Sequence, residues 1–300
     1  MGPLIDFALV AGSFVVAIVV GLTGMGGGAL MTPMMMLFFN VPPLAAVSSD
    51  LVASAVMKPV GGVVHLRRGT VNLRLVGWLC AGSVPAAFCG VFLARAFAVT
   101  DAVKYALGVA LLLAVAGMAL KGWLGTRGGS SSAHEIVVRP IPTLLVGTVG
   151  GLVVGVSSVG SGSLIIVALL ALYPALKANQ LVGTDLVQAV PLVASAALGH
   201  LLFGDFKMEL TLSLLVGSIP GVYLGARISS RAPGGLIRAL LAIVLLASAL
   251  KLLDVGNAVT VWLLVAACAV TFAGWRLRDG VLARRGGANA AVGLPQEARR

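Results

Sequence analysis

An all-α polytopic membrane protein built from two inverted repeats is the architecture this sequence predicts, and three observations carry the prediction. Of 300 residues, 59% are hydrophobic and 10% charged, with a mean hydropathy of +1.07, whereas soluble domains carry about 25% charged residues. Apolar runs of about 20 residues, the length that crosses ~30 Å of hydrocarbon, recur from end to end. Two glycine-rich interruptions, Gly21–Pro33 and Gly155–Leu164, fall inside apolar segments at matching places in the two halves.

The first interruption reads Gly-Leu-Thr-Gly-Met-Gly-Gly-Gly over residues 21–28. Each glycine costs about 1 kcal/mol relative to alanine in a helix interior, so a straight helix is not expected there. Unwound backbone at membrane depth survives only where protein or a water-filled cavity surrounds it. The first segment therefore runs from Leu4 to Gly21 and resumes as Gly28–Phe39, a piece of ~18 Å that is too short to span. Asn40-Val-Pro-Pro43 turns the chain into a helix reaching Leu66, closed by Arg67-Arg68-Gly69. Helices follow at Val71–Ala94 and Ala102–Lys121. After the Gly/Ser-rich linker, Ile141–Gly155 leads to the second break and a second short piece, Gly162–Tyr173. The remaining helices are Ala178–Leu202, Lys207–Ile228, Pro233–Leu253 and Ala258–Trp275. The expected organisation is a first repeat over 1–124, a cytoplasmic linker over 125–140, a second repeat over 141–253, an additional transmembrane helix over 254–276 and a basic disordered tail over 277–300. Met1–Val10 lacks a basic stretch and contains Asp6, so no cleavable signal is expected.

The repeat is visible residue by residue. An offset of 134 aligns Gly21, Gly26, Gly28 and Leu30 with Gly155, Gly160, Gly162 and Leu164; an offset of 135 aligns Asp50, His65, Gly82, Ser83, Pro85 and Gly90 with Asp185, His200, Gly217, Ser218, Pro220 and Gly225. Shared Asp, His and Gly-Ser-x-Pro at one offset indicate duplication. Loop charge sets the expected orientation, since cytoplasmic loops collect Lys and Arg. If each short piece folds back from its break, Arg67, Arg68, Arg74, Lys121, Arg127, Arg139, Lys177, Arg227, Arg231, Arg238 and six tail arginines share one side, 16 against 4 on the other. If each broken segment crosses instead, the division is 8 against 12. An inverted repeat with the N-terminus outside, the C-terminus in the cytoplasm and a multi-pass position in the inner cell membrane is therefore expected. The net charge of +11, which would suggest nucleic acid in a soluble protein, reads here as topogenic.

Each break exposes amide N–H groups at the start of a short helix, and helix N-termini attract anions. Thr23, Gly24, Met25, Gly26, Gly27 and Gly28 on one side, and Ser157, Ser158, Gly160, Ser161, Gly162 and Ser163 on the other, form the expected anion cradle near mid-bilayer. Gly24-x-x-x-Gly28 and Gly151-x-x-x-Gly155 are equally small-residue helix-packing patterns, and that alternative stays open. Asp50 and Asp185 are coupling candidates, because a membrane-embedded carboxylate is costly; helix N-capping is the competing explanation. Lys58 and His65 continue the stripe of Asp50, whereas Asp185 has Gln188 and His200 on its own. On that spacing Lys58 pairs with Asp50 or meets a passing anion, and Asp185 is the better proton carrier. His65 and His200 are placed at helix ends near the interface, as loop caps or proton handlers. Cys80, Cys89 and Cys268 are read as core packing, without metal-ligand spacing.

The chain resembles the TauE/SafE sulfite-exporter family of membrane permeases over about Leu4–Leu253. The resemblance rests on residues 21–28, on Val-Gly-Thr-Asp-Leu (182–186), on His65 and His200 each followed within four residues by glycine, and on Gly-Ser-Ile-Pro-Gly (217–221). The first repeat departs from the pattern with Ser48-Ser49-Asp50 and with Ala86 where the second has Gly221. The resemblance implies movement of small sulfur oxyanions or organosulfonates, usually outward. The expected function is thus secondary transport of such an anion, with no enzyme activity and no cofactor. The expected partners are the anion and the lipid bilayer, with a homodimer left open and no nucleic acid. An intramembrane aspartyl protease using Asp50 and Asp185, and a passive anion channel, are the alternatives; Gly-Thr-Asp in place of Gly-x-Gly-Asp counts against the protease.

Overall fold

Glycine, proline and asparagine punctuate the apolar runs and set where each helix stops. The computed structural model describes residues 5–23, 28–69, 71–97, 101–125, 138–159, 164–173, 176, 178–229 and 234–267. The elements are α1 (Phe7–Thr23), α2 (Gly28–Phe38), α3 (Pro43–Arg67), α4 (Leu73–Ala96), α5 (Ala102–Gly125), α6 (Pro140–Ser157), α7 (Leu164–Leu172), α8 (Ala178–Phe203), α9 (Met208–Ser229) and α10 (Gly234–Leu252). The boundaries match the sequence expectation to within a few residues, with no strand among the described residues. Asp6 caps α1, its Oδ1 accepting from Ala8 N at 2.9 Å. Asn72 caps α4 through Leu75 N at 3.2 Å. Pro43 and Pro140 open α3 and α6, where a missing N–H removes nothing from the helix ladder. α2 stops at Asn40, whose φ of 50° reverses the chain.

Among the described residues, four segments are long and apolar enough to cross a membrane: Leu73–Ala96, Pro140–Ser157, Gly183–Phe203 and Met208–Gly225. α2 and α7, with 11 and 9 residues, reach only ~17 and ~14 Å. The polarity is that of a protein dissolved in lipid. Phe7, Trp78, Ile141, Val149, Leu202 and Tyr223 are exposed, while Thr32, Ser48, Asp50, Ser83, Asp185, Gln188 and His200 are buried. With no water in the bilayer core, polar groups turn inward to find partners. The expectation for the cysteines is corrected in part: Cys89 is exposed on α4 and Cys80 half-buried, because a thiol is apolar enough for a lipid-facing surface.

Two seams organise Met1–Asp254, one of the two compact units. In the first, Leu79, Ser83 and Ala87 of α4 lie against Gly147, Gly151 and Gly155 of α6, so the two helices run parallel. In the second, Gly217 of α9 lies against Val10 and Ser13 of α1, and Gly221 against Phe14 and Ala17, again parallel. These seams are counterparts under the sequence repeat. In contrast, α3 and α8 run antiparallel, with Gly62 beside Leu186 and Val190 and Gly204 beside Ser48. α5 and α10 are antiparallel as well: Gly108 meets Ala249 and Leu253, and Lys104 Nζ bonds Asp254 Oδ1 at 2.7 Å. In these two pairs, helices that correspond in sequence thus point in opposite directions. The Lys104 ammonium, with Tyr105, holds the Asp254 carboxyl below its usual range. The stability this exposed pair contributes is present near neutral pH and lost as the pH falls through that lowered value, and solvent screens it.

The other unit, Val255–Arg300, is described through one further apolar helix, α11 (Asn257–Ala267). Val259, Val261 and Trp262 are exposed on it. The rest of the expected Ala258–Trp275 helix, the tail, and residues 126–137 of the linker with His134 lie outside the described residues.

Candidate functional site

The glycine breaks bring parts of both halves to one buried carboxylate. α6 ends at Ser157, and Ser158 takes a left-handed conformation (φ 59°) while its N–H still bonds Val154 O. That turn places the Ser158 carbonyl against Gly28 at the start of α2, where any Cβ would overlap it. The first short helix and the second break therefore touch, and glycine at position 28 is required by the contact. The Ser158 hydroxyl crowds the same Gly28 position and donates to Asp50 Oδ2 at 2.5 Å. Thr32 Oγ1 of α2 donates to the same oxygen at 2.9 Å. Two donors on one carboxylate oxygen are charge-assisted and correspondingly strong. Asp50 Oδ1 is buried with no hydrogen-bond partner among the described residues, and the residue is 0% exposed.

Several expectations change. Asp50 and Asp185 each sit two turns inside their helices, α3 and α8, so N-capping does not explain either. Lys58 is buried, and the carboxylates acting on it are Asp185 foremost and then Asp50. Lys58 does act on Asp50, but the expectation that Asp185 has only Gln188 nearby is corrected. The antiparallel pairing of α3 and α8 brings Asp185 toward Lys58 from the other repeat, which same-helix spacing cannot register. Gln188 instead reaches α4, its Nε2 donating to Ser83 Oγ at 2.8 Å. The repeat counterpart of Ser83, Ser218, has no hydroxyl partner among the described residues, because Ala53 stands where Gln188 would be.

His200 is also relocated. It is fully buried rather than interfacial, with Nε2 2.8 Å from Gly155 O and Nδ1 2.8 Å from Ser48 Oγ. A carbonyl only accepts, so Nε2 carries a proton. Ser48 Oγ is also 2.7 Å from Leu44 O, and its single proton serves either that carbonyl or Nδ1. His65, the repeat counterpart, remains half-buried near the end of α3.

Ser157 is occupied locally, donating to Val153 O at 2.7 Å while Val159 N donates to its Oγ at 3.2 Å. Gly151 and Gly155 lie against α4 backbone, so helix packing accounts for that glycine pair. Thr23 is the last residue of α1. Gly24, Met25, Gly26, Gly27, Gly160, Ser161, Gly162 and Ser163 lie outside the described residues. Thr32, Ser48 and Ser83 were not anticipated; Thr32 carried a readable signal as the lone polar side chain of a half-helix that starts at a break. A groove of about 350 Å³ between α5, α6 and α7 is lined by apolar residues, Leu113, Leu145, Val149 and Leu164 among them, and offers an anion nothing. Among the described residues no group of three or more His, Cys, Asp or Glu could hold a metal ion.

Residues 9–252 match the profile of the family described as Sulfite exporter TauE/SafE. The probable membrane transporter protein YjnA of Bacillus subtilis is 35% identical over 252 residues, covering 82% of this chain and 98% of that protein. The probable membrane transporter protein YdhB of the same organism is 23% identical over 221 residues, covering 73% and 89%. YunE, also a probable membrane transporter protein of Bacillus subtilis, is 42% identical over 82 residues, 27% of this chain and 28% of its own. No solved structure matches.

Proposed function

This chain belongs to the TauE/SafE sulfite exporter family, and on that premise we propose that it is a secondary transporter moving a small sulfur-containing anion, such as sulfite or an organosulfonate, outward between two inverted repeats. The coarser statement, a membrane transporter, follows from the family and from relatives of the same kind. The observation that carries the finer reading is the meeting of Gly28, at the N-terminus of α2, with Ser158 in the second break, beside buried Asp50. Half-helix ends joined across a repeat interface are how inverted-repeat transporters make a substrate site. The opposed directions of α3 and α8, and of α5 and α10, support inversion. With an inverted repeat, the charge count puts the N-terminus outside and the C-terminus in the cytoplasm of a cell that carries the protein in its inner membrane. The sequence has no ATP-binding motif, so an ion gradient or the substrate's own gradient drives the flux. Asp50 accepts from two hydroxyls and Lys58 answers both Asp185 and Asp50, an arrangement that suits ion coupling better than a protease dyad sharing one proton.

Proteoliposomes holding the full chain should release preloaded sulfite, an alkyl sulfonate or thiosulfate faster than empty vesicles. Rates equal to those of empty vesicles for all three would overturn the reading. Orientation is tested separately with single cysteines in a background lacking Cys80, Cys89 and Cys268. Positions 70 and 130 should resist impermeant thiol reagents in intact cells, and position 206 should react. Labelling of position 130 from outside would reverse the assigned topology.

A further inference from the structure

The Asp50 carboxylate lies at the place where the transported anion is expected, and the two compete for the same donors. Ser158, one of the hydroxyls suited to an oxyanion, already donates to Asp50 Oδ2. Thr32, whose side chain leans back over the first turn of α2, does the same. A second anion brought to this end of α2 would meet a buried like charge, which interiors oppose strongly. The same carboxylate has one oxygen, Oδ1, fully buried and without a hydrogen-bond partner among the described residues. A proton placed on Oδ1 removes the repulsion and creates the donor that an oxyanion requires.

We infer that Asp50 is a proton-binding group of the transport cycle, taking up one proton at Oδ1 as the anion arrives and donating that O–H to an anion oxygen, so that proton and anion move together. This deepens the anion-transport reading and rests on it. The step balances simply: one O–H bond forms on Asp50 with a proton from the solvent on the side to which the site is open, and it breaks on the other side. Oδ2 keeps Thr32 and Ser158 as donors throughout. The charged and titratable groups facing Asp50 are few. Its own helix supplies Lys58, and α8 supplies His200 and Asp185. α2 and α6 carry none. On α9, Glu209 and Arg227 are exposed at the helix ends, and on α5 Tyr105 is exposed at the far end. Lys58 interacts with both carboxylates and therefore does not neutralise Asp50 alone.

The measurement is proton uptake by detergent-solubilised full-length protein in weak buffer with a pH indicator, on addition of thiosulfate, which does not itself titrate near neutral pH as sulfite does. About one proton should be taken up per thiosulfate bound, and apparent affinity should fall about tenfold per pH unit on the alkaline side. In Asp50→Asn, whose amide offers a donor without a titrating proton, uptake should vanish and the affinity should become pH-independent while thiosulfate still binds. Should Asp50→Asn fail to fold, the wild-type stoichiometry and pH slope decide alone. Binding without proton uptake, or a pH slope that survives in a folded Asp50→Asn, overturns the inference and leaves anion transport standing. Absence of both thiosulfate binding and thiosulfate flux overturns the anion reading and the inference together.

Discussion

Leucine in place of Gly155 should leave almost no monodisperse protein after detergent extraction, although the position is one small residue on an apolar helix. The Cβ position at Gly155 overlaps the Ala87 carbonyl of α4, and Gly151 meets the Ser83 backbone in the same way. Both obstacles are backbone, so no rotamer change can clear them, and α4 and α6 must separate along their length. Overpacking in ordinary cores costs about 1–3 kcal/mol; prying a seam apart should exceed the upper end of that range. Even Gly155→Ala should lower the thermal unfolding midpoint by several degrees. Gly77→Ala is the matched control on α4, since nothing lies within 4 Å of its added methyl. Alanine is the better helix former by about 1 kcal/mol, so that variant should hold or gain stability. Equal midpoints for Gly155→Ala and Gly77→Ala would contradict the close approach of the two helices.

The second large effect is expected at His200. Substitution by leucine removes the donor to Gly155 O and the partner of Ser48 in one step. A buried acceptor left without a donor costs about 1–3 kcal/mol, and a lost side-chain hydrogen bond adds about 1 kcal/mol. His200→Leu should therefore destabilise the protein by roughly 2–4 kcal/mol, read as a lower midpoint in detergent. Ser48→Ala should cost less, because His200 still holds Gly155. The double variant should be less damaging than the sum, as for residues within one network. His65→Leu, at the repeat-equivalent position, is half-buried and should stay within about 0.5 kcal/mol of wild type. Similar losses at His65 and His200 would show that burial does not separate the two.

Helix ends were legible because glycine, proline and capping asparagine act locally, and their effects extend a residue or two along the chain. The duplication was legible because Asp, His and Gly-Ser-x-Pro recur at one offset. The partners were not. Spacing along α3 sets Lys58 two turns from Asp50 and suggests a pair, but the donors to Asp50 come from Thr32 and from Ser158, the latter 108 positions away. A glycine pair in α6 announces a close neighbour without saying which helix it is. The burial of His200 is hidden for a related reason: the end of an apolar run looks interfacial until the neighbouring helices that cover it are known. Spacing gives Asp185 no cation because its own helix supplies none, whereas Lys58 acts on it from the other repeat.

The parallel seams also govern how the protein can be made. Each joins a helix of one half to a helix of the other, α1 to α9 and α4 to α6, so neither half closes around its own residues. α1 ends at Thr23, yet its partner begins only at Met208. At ~5–20 residues per second, α1 and its glycine-rich end wait on the order of ten to forty seconds for the surface they pack against. During that interval the buried Ser13 needs shelter from lipid, which the insertion machinery or neighbouring lipid headgroups must supply. The same interlock describes the protein's ancestry. Before duplication, a half-length chain would have lacked the partner of each seam and needed a second copy of itself, and fusion turned that partnership into an obligate sequence of synthesis.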